Sequence, residues 1–262
     1  MVQKYSPTLG HCFFVLAVLF AAQLAMGVFS DTLPQSIVYA VSMIFPIGLV
    51  FLLAQKSPQA DIRPLNSAGQ GVKACLIVAA LAVPLTLCII YLIDPLPSLI
   101  PMPEVFKMVL RRVFYGCTPA DLIISTCVLA PLAEEFLCRG VMARGLAGRM
   151  SRQGAILWSA ALFAIMHANP WQAIPAFILG YFFGWIYLRT GCIWISIGLH
   201  SLNNLISSIT ALSMPELELD SGLADIMGGT YWHLFPVVLL VAVLFVCSIL
   251  YVFHKYEKTV SS

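Results

Sequence analysis

The chain has 262 residues, of which 60% are hydrophobic and 10% charged, and its mean hydropathy is +0.93. A soluble domain carries about 25% charged residues, so the composition excludes a water-soluble globular fold and predicts an all-α, polytopic bundle in a lipid bilayer. The net charge of +2 includes no basic tract, so no nucleic-acid partner is expected.

A helix needs about 20 apolar residues to cross a bilayer. Segments of about that length fall near 11–29, 37–54, 73–93, 119–147, 154–168, 171–189, 192–213 and 234–253, which predicts about eight transmembrane helices in a single membrane domain spanning 1–262. The fifth is the shortest and reads as a half-buried or tilted element. The first follows a short head bearing Lys4. Its apolar run is longer than a 7–15-residue signal core and no Ala-x-Ala site follows, so it is expected to be a retained helix.

Lysine and arginine counts orient the bundle. With the N-terminus in the cytoplasm, that side receives Lys4, Lys56, Arg63, Lys73, Arg144, Arg149, Arg152, Arg189, Lys255 and Lys258. The opposite side receives Lys107, Arg111 and Arg112, and its last loop carries Glu216, Glu218, Asp220 and Asp225. Both termini are therefore expected inside the cell. The eight cysteines, at 12, 75, 88, 117, 127, 138, 192 and 247, form no Cys-x-x-Cys pattern and are expected to be small buried apolar groups.

Between the third and fourth segments, Glu104, Lys107 and Arg111 share one helical face, while Phe106, Val109, Leu110 and Val113 share the other. That pattern predicts a helix lying in the membrane interface, anchoring its loop or gating access for a substrate. The fourth segment opens with Thr118 as cap, Pro119 at its first position and Asp121 placed to reach back to the cap. Pro131 removes a backbone hydrogen bond and is expected to bend the helix one turn before Glu134.

Glu134, Glu135 and Arg139 follow within this apolar run, where ionisable groups are costly and mark function. Glu135 and Arg139 are spaced i, i+4 and can pair, whereas Glu134 is rotated about 100° from Glu135 and is left free. A buried ion-pair staple is the structural alternative. The fifth segment carries Phe163 and His167 and is ended by Ala168-Asn169-Pro170. In the sixth, Ala176, Gly180 and Gly184 form a small-residue ladder for close helix packing. The seventh puts His200 and Asn204 on one face, with Asn203 turned elsewhere as a packing or hydrogen-bonding group.

At about 1.5 Å of rise per residue, Glu134 and His167 lie about 20 Å deep, Asn204 about 18 Å and His200 about 12 Å, within a core of about 30 Å. A carboxylate with an imidazole can hold and deprotonate water, and a second imidazole with an amide can stabilise an oxyanion. This chemistry is hydrolysis of a peptide bond without a covalent nucleophile. A zinc-dependent reaction is the rival, but His-Glu-x-x-His is absent and no His pair lies at i, i+4, so no cofactor is expected. Ser196, Ser201 and Ser207 lie outside any Gly-x-Ser-x-Gly elbow.

Glu134-Glu135-x-x-x-Arg139, Phe163-x-x-x-His167 and His200-x-x-x-Asn204, in this order over about residues 118–213, resemble the three motifs of the CPBP family. That family holds the CAAX prenyl endopeptidases and the Abi-type bacteriocin-processing or immunity proteins. The resemblance implies a glutamic-type intramembrane endopeptidase, long described as a metalloprotease. It implies Glu134 as general base assisted by His167, an oxyanion site from His200 and Asn204, and Glu135 with Arg139 holding the helix and tuning Glu134. Chain size points to a bacterial plasma-membrane member acting on a membrane-anchored protein or peptide. A peptide-binding immunity or regulatory protein, or a proton-coupled transporter using Glu134 and His167, are the alternatives from other classes.

Overall fold

The computed structural model describes residues 5–56, 72–214 and 221–258. Among them the chain forms nine principal helices: α1 (Leu9–Gly27), α2 (Gln35–Lys56), α3 (Val72–Ile93), α4 (Glu104–Tyr115), α5 (Pro119–Leu146), α6 (Arg152–Met166), α7 (Pro170–Thr190), α8 (Ile193–Ser213) and α9 (Gly229–Lys258). Short helical turns at Pro97–Leu99 and Leu223–Met227 complete it. Each of the eight apolar runs is thus a helix.

The count of membrane crossings is smaller than the count of helices. α1, α2, α3, α7 and α9 are long and apolar enough to cross on their own, and α4 with α5, bent by 104°, makes a sixth if counted as one span. The 15 residues of α6 rise about 22 Å, short of a full crossing. α8 has the length, but His200, Asn203, Asn204 and its serines lower its hydropathy. Lys4, Arg63, Glu216, Glu218 and Asp220, which entered the charge count, lie outside the described residues.

Two apolar clusters hold the bundle. One joins α1, α2, α5 and α6 through residues such as Leu16, Val50, Met142 and Ile156; the other joins α3, α7, α8 and α9 through Val78, Phe183, Leu199 and Ile249. Trp185 of α7 packs against both. Residues ahead of α1 dock on the end of α5. Ser6 donates to the Gly145 carbonyl at 2.9 Å and Arg149 donates back to the Ser6 carbonyl at 2.9 Å. Burial pushes the Tyr5 phenol up to about 12.

The ladder on α7 sits against α6, as expected, but its rungs differ. A methyl group on Gly180 would meet Phe163 at 3.0 Å and Arg139 at 3.2 Å, so both side chains would have to give way to admit it. On Gly184 it would find Ile156 at 3.6 Å, ordinary contact that alanine tolerates.

One expectation about α5 is corrected. Thr118 caps it by accepting from the Asp121 N–H at 3.2 Å, but the Asp121 carboxylate does not reach back. It caps the neighbouring α2 instead, accepting from the Gln35 N–H at 2.7 Å, the Ser36 N–H at 3.2 Å and the Ser36 hydroxyl. An anion at a helix start meets unpaired N–H groups and the positive end of the helix dipole. Around Pro131 the winding changes. The helix winds on from Pro119 to Leu146, shifting into π-type turns at Ile124–Leu129 and Phe136–Ala143 on either side of Ala130–Glu135. Amphipathic α4 meets it at a sharp angle, as suits a helix lying across the bundle axis.

Candidate active site

The centre of the bundle is polar because α5, α6 and α8 each bring one motif to it. Glu135 and Arg139 are fully buried, and Arg139 Nη1 lies 3.0 Å from Glu135 Oε1 one turn earlier. The guanidinium also donates from Nη2 to the Gly180 carbonyl at 3.0 Å and lies over the Phe163 ring, 4.3 Å from its centre. The missing side chain of Gly180 makes this approach possible. Three kinds of contact therefore compensate one buried cation.

Glu135 Oε1 also holds His200, whose Nδ1 lies 3.0 Å away. A carboxylate only accepts, so Nδ1 carries the proton and the opposite nitrogen, Nε2, faces Glu134 Oε2 at 3.9 Å. That gap is too long for a direct hydrogen bond. One water oxygen can sit within about 2.8 Å of both atoms, from the side. Arg139, Glu135 and His200 thus form a row of direct partners that ends facing Glu134.

Glu134 is not free, contrary to expectation. Tyr39 of α2 donates its hydroxyl to Glu134 Oε1 at 2.9 Å, leaving Oε2 turned toward His200. The Glu134 side chain keeps 14% of its surface exposed where Glu135 keeps none, so of the two carboxylates it is the one a substrate can reach. Sequence reading passed over Tyr39. Its signal was modest: it is the single tyrosine of an apolar helix, and a phenol away from water needs a partner.

His167 closes α6 and packs its ring edge-on to Phe163, with centres 5.1 Å apart; the same Phe163 ring meets His200 at 5.4 Å. His167 Nδ1 bonds the Phe163 carbonyl at 2.9 Å, which leaves Nε2 available, but no hydrogen bond joins it to Glu134. The turn after it is tight. Ala168 takes a left-handed conformation at φ 56°, and Asn169 caps α7 by accepting from the Gln172 N–H at 2.9 Å.

Asn204 is held through Pro131. The Ala130 N–H donates five residues back, to the Ser125 carbonyl. In the same π register residue 131 would donate to Thr126, but proline has no N–H. Asn204 Nδ2 donates to that Thr126 carbonyl at 2.7 Å. Its second amide hydrogen remains for another acceptor, and its oxygen receives Asn203 Nδ2 at 3.1 Å, the hydrogen-bonding role expected of Asn203. Among the described residues, no group of three or more His, Cys, Asp or Glu side chains is placed to hold a metal ion.

Residues 117–206 match the family model described as Rce1-like, Type II CAAX prenyl endopeptidase. Over this third of the chain the sequence is similar to that peptidase family. No curated protein and no solved structure matches it. The matched segment runs from the cap of α5 into α8 and contains Glu134, Glu135, Arg139, His167, His200 and Asn204. With the apolar helices around it, this match supports an integral membrane peptidase that meets peptide substrates at the bilayer.

Proposed function

We propose that this CAAX-type peptidase uses a glutamic mechanism, with residues 118–213 as the catalytic core of a single membrane domain. The observation that carries the reading is the row Arg139–Glu135–His200, which ends facing the accessible carboxylate of Glu134. Glu134 takes a proton from water, and the resulting hydroxide adds to the scissile carbonyl carbon. The oxyanion that forms accepts from the remaining N–H of Asn204 and from His200. Because His200 Nδ1–H is engaged with Glu135, a contact through Nε2 requires the doubly protonated ring. When the C–N bond breaks, the proton taken by Glu134 passes to the leaving amine. His167 assists that transfer through its available Nε2. Glu135 and Arg139 position His200 and Glu134 without touching substrate.

The proposed substrates are membrane-anchored protein or peptide tails, and the proposed setting is a bacterial plasma membrane with both termini in the cytoplasm. The basic-residue count supports that orientation. No cofactor is required by this mechanism.

The test is cleavage of a panel of membrane-anchored peptide tails by the purified full chain, comparing wild type with Glu134→Gln and adding a strong chelator in parallel. Cleavage by wild type alone that survives chelation is the expected result, with Glu134→Gln folded and still binding substrate. Near-normal turnover by Glu134→Gln would refute the base assignment. Loss of activity on chelation would replace the mechanism with a zinc-dependent one, and binding without cleavage would make the chain a sequestering protein.

A further inference from the structure

Tyr39 reaches the site from α2, outside the segment that matches the peptidase family. We propose that Tyr39 is a positioning residue for the catalytic carboxylate, holding Glu134 by Oε1 so that Oε2 faces His200 and the attacking water. The inference rests on the reading of Glu134 as general base. The last torsion of a glutamate is broad and only weakly restrained by its own sterics. A carboxylate that must deprotonate one particular water therefore needs an outside partner to fix its plane. The 2.9 Å bond from Tyr39 to Oε1 supplies that partner, and the 3.9 Å separation of Oε2 from His200 Nε2 is the space it keeps aligned.

The location of Tyr39 is itself controlled from α5. Tyr39 lies one turn into α2, and the first residues of that helix, Gln35 and Ser36, are held by the Asp121 carboxylate. α5 thus carries the base and also fixes the start of the helix that orients the base. Tyr39 packs its ring against the cluster formed by α1, α2, α5 and α6, so its hydroxyl cannot swing far without disturbing that core. A packing role alone would explain the ring but would leave the hydroxyl on Glu134 without consequence.

Tyr39→Phe keeps the ring and deletes the hydroxyl. Hydrogen bonds to charged groups are worth enough that kcat on a peptide tail the wild type cleaves should fall about tenfold. KM should stay within about twofold, and the thermal midpoint of the full chain in detergent should fall only by the modest amount that one lost hydrogen bond costs. In the Glu134→Gln background, adding Tyr39→Phe should leave the affinity for the same peptide unaltered. Unchanged kcat in Tyr39→Phe beside an inactive Glu134→Gln would overturn the role of Tyr39 while sparing the base assignment. A weakened peptide affinity in the double variant would overturn it in favour of a substrate contact. If Glu134→Gln itself cleaved normally, the base assignment would fail first and the Tyr39 proposal with it.

Discussion

Removing the guanidinium of Arg139 tests the row of charges at its base. Arg139 has no exposed surface, and Arg139→Ala would leave Glu135 as a buried anion whose remaining partner is His200. Breaking a buried ion pair from one side costs about 3–5 kcal/mol. The Gly180 carbonyl would lose a charged donor at 3.0 Å and the Phe163 ring a cation at 4.3 Å, losses that overlap with the first rather than adding to it in full. We therefore expect Arg139→Ala to lose at least about 3 kcal/mol, seen as a lower denaturation midpoint of the purified protein in mild detergent, together with loss of peptidase activity. Arg139→Lys should recover only part of both, because an ammonium cannot face Glu135 and the Gly180 carbonyl with two separate nitrogens. The paired change Glu135→Gln with Arg139→Met should recover stability but not activity, since no buried charge is orphaned yet His200 loses its carboxylate anchor. An Arg139→Ala protein that unfolds within about 1 kcal/mol of wild type and cleaves normally would refute the pairing.

The α6–α7 contact gives a paired forecast: Gly180→Ala forces Phe163 and Arg139 apart and should cost about 1–3 kcal/mol with loss of activity, while Gly184→Ala should fall within about 0.5 kcal/mol of wild type by the same unfolding assay. Asp121→Ala uncaps α2 and should lower stability by about 1–2 kcal/mol. It should also reduce kcat more than it raises KM, since Tyr39 moves with that helix end; equal turnover in Asp121→Ala and wild type would separate the cap from the site.

The apolar runs located all eight long helical segments, because a bilayer leaves a continuous hydrophobic stretch few other ways to satisfy its backbone. The Glu135–Arg139 pair was legible for a similar reason, being a contact one turn apart on one helix. Contacts between distant helices were not legible. Asp121 turning to α2, Tyr39 reaching Glu134 and His200 bonding Glu135 join residues 65 to 95 positions apart, and packing rather than spacing decides which groups meet. The count of about eight is approximate as a count of crossings, because α6 is short and α8 polar for a span even though both are helices of the bundle.

Pro131 shows how far a sequence rule reaches and where structure must finish it. The rule states that a proline inside a helix leaves a carbonyl without its donor. Which carbonyl, and what replaces the donor, depends on the winding around it. With α5 in π-type turns the exposed acceptor is Thr126, and the replacement is Asn204 from α8. The same device recurs across the site: Arg139 is fixed to the Gly180 carbonyl of α7, and His167 to the Phe163 carbonyl of its own helix. Three polar side chains are thereby tied to backbone atoms whose positions are set by helix packing, in addition to any side chains they meet. A site tied in this way needs little rearrangement when substrate arrives, and donors fixed in advance are what stabilise a developing charge in a water-poor interior. On this view the proline before the two glutamates does more than interrupt a helix: it frees the acceptor that positions the amide proposed to receive the oxyanion.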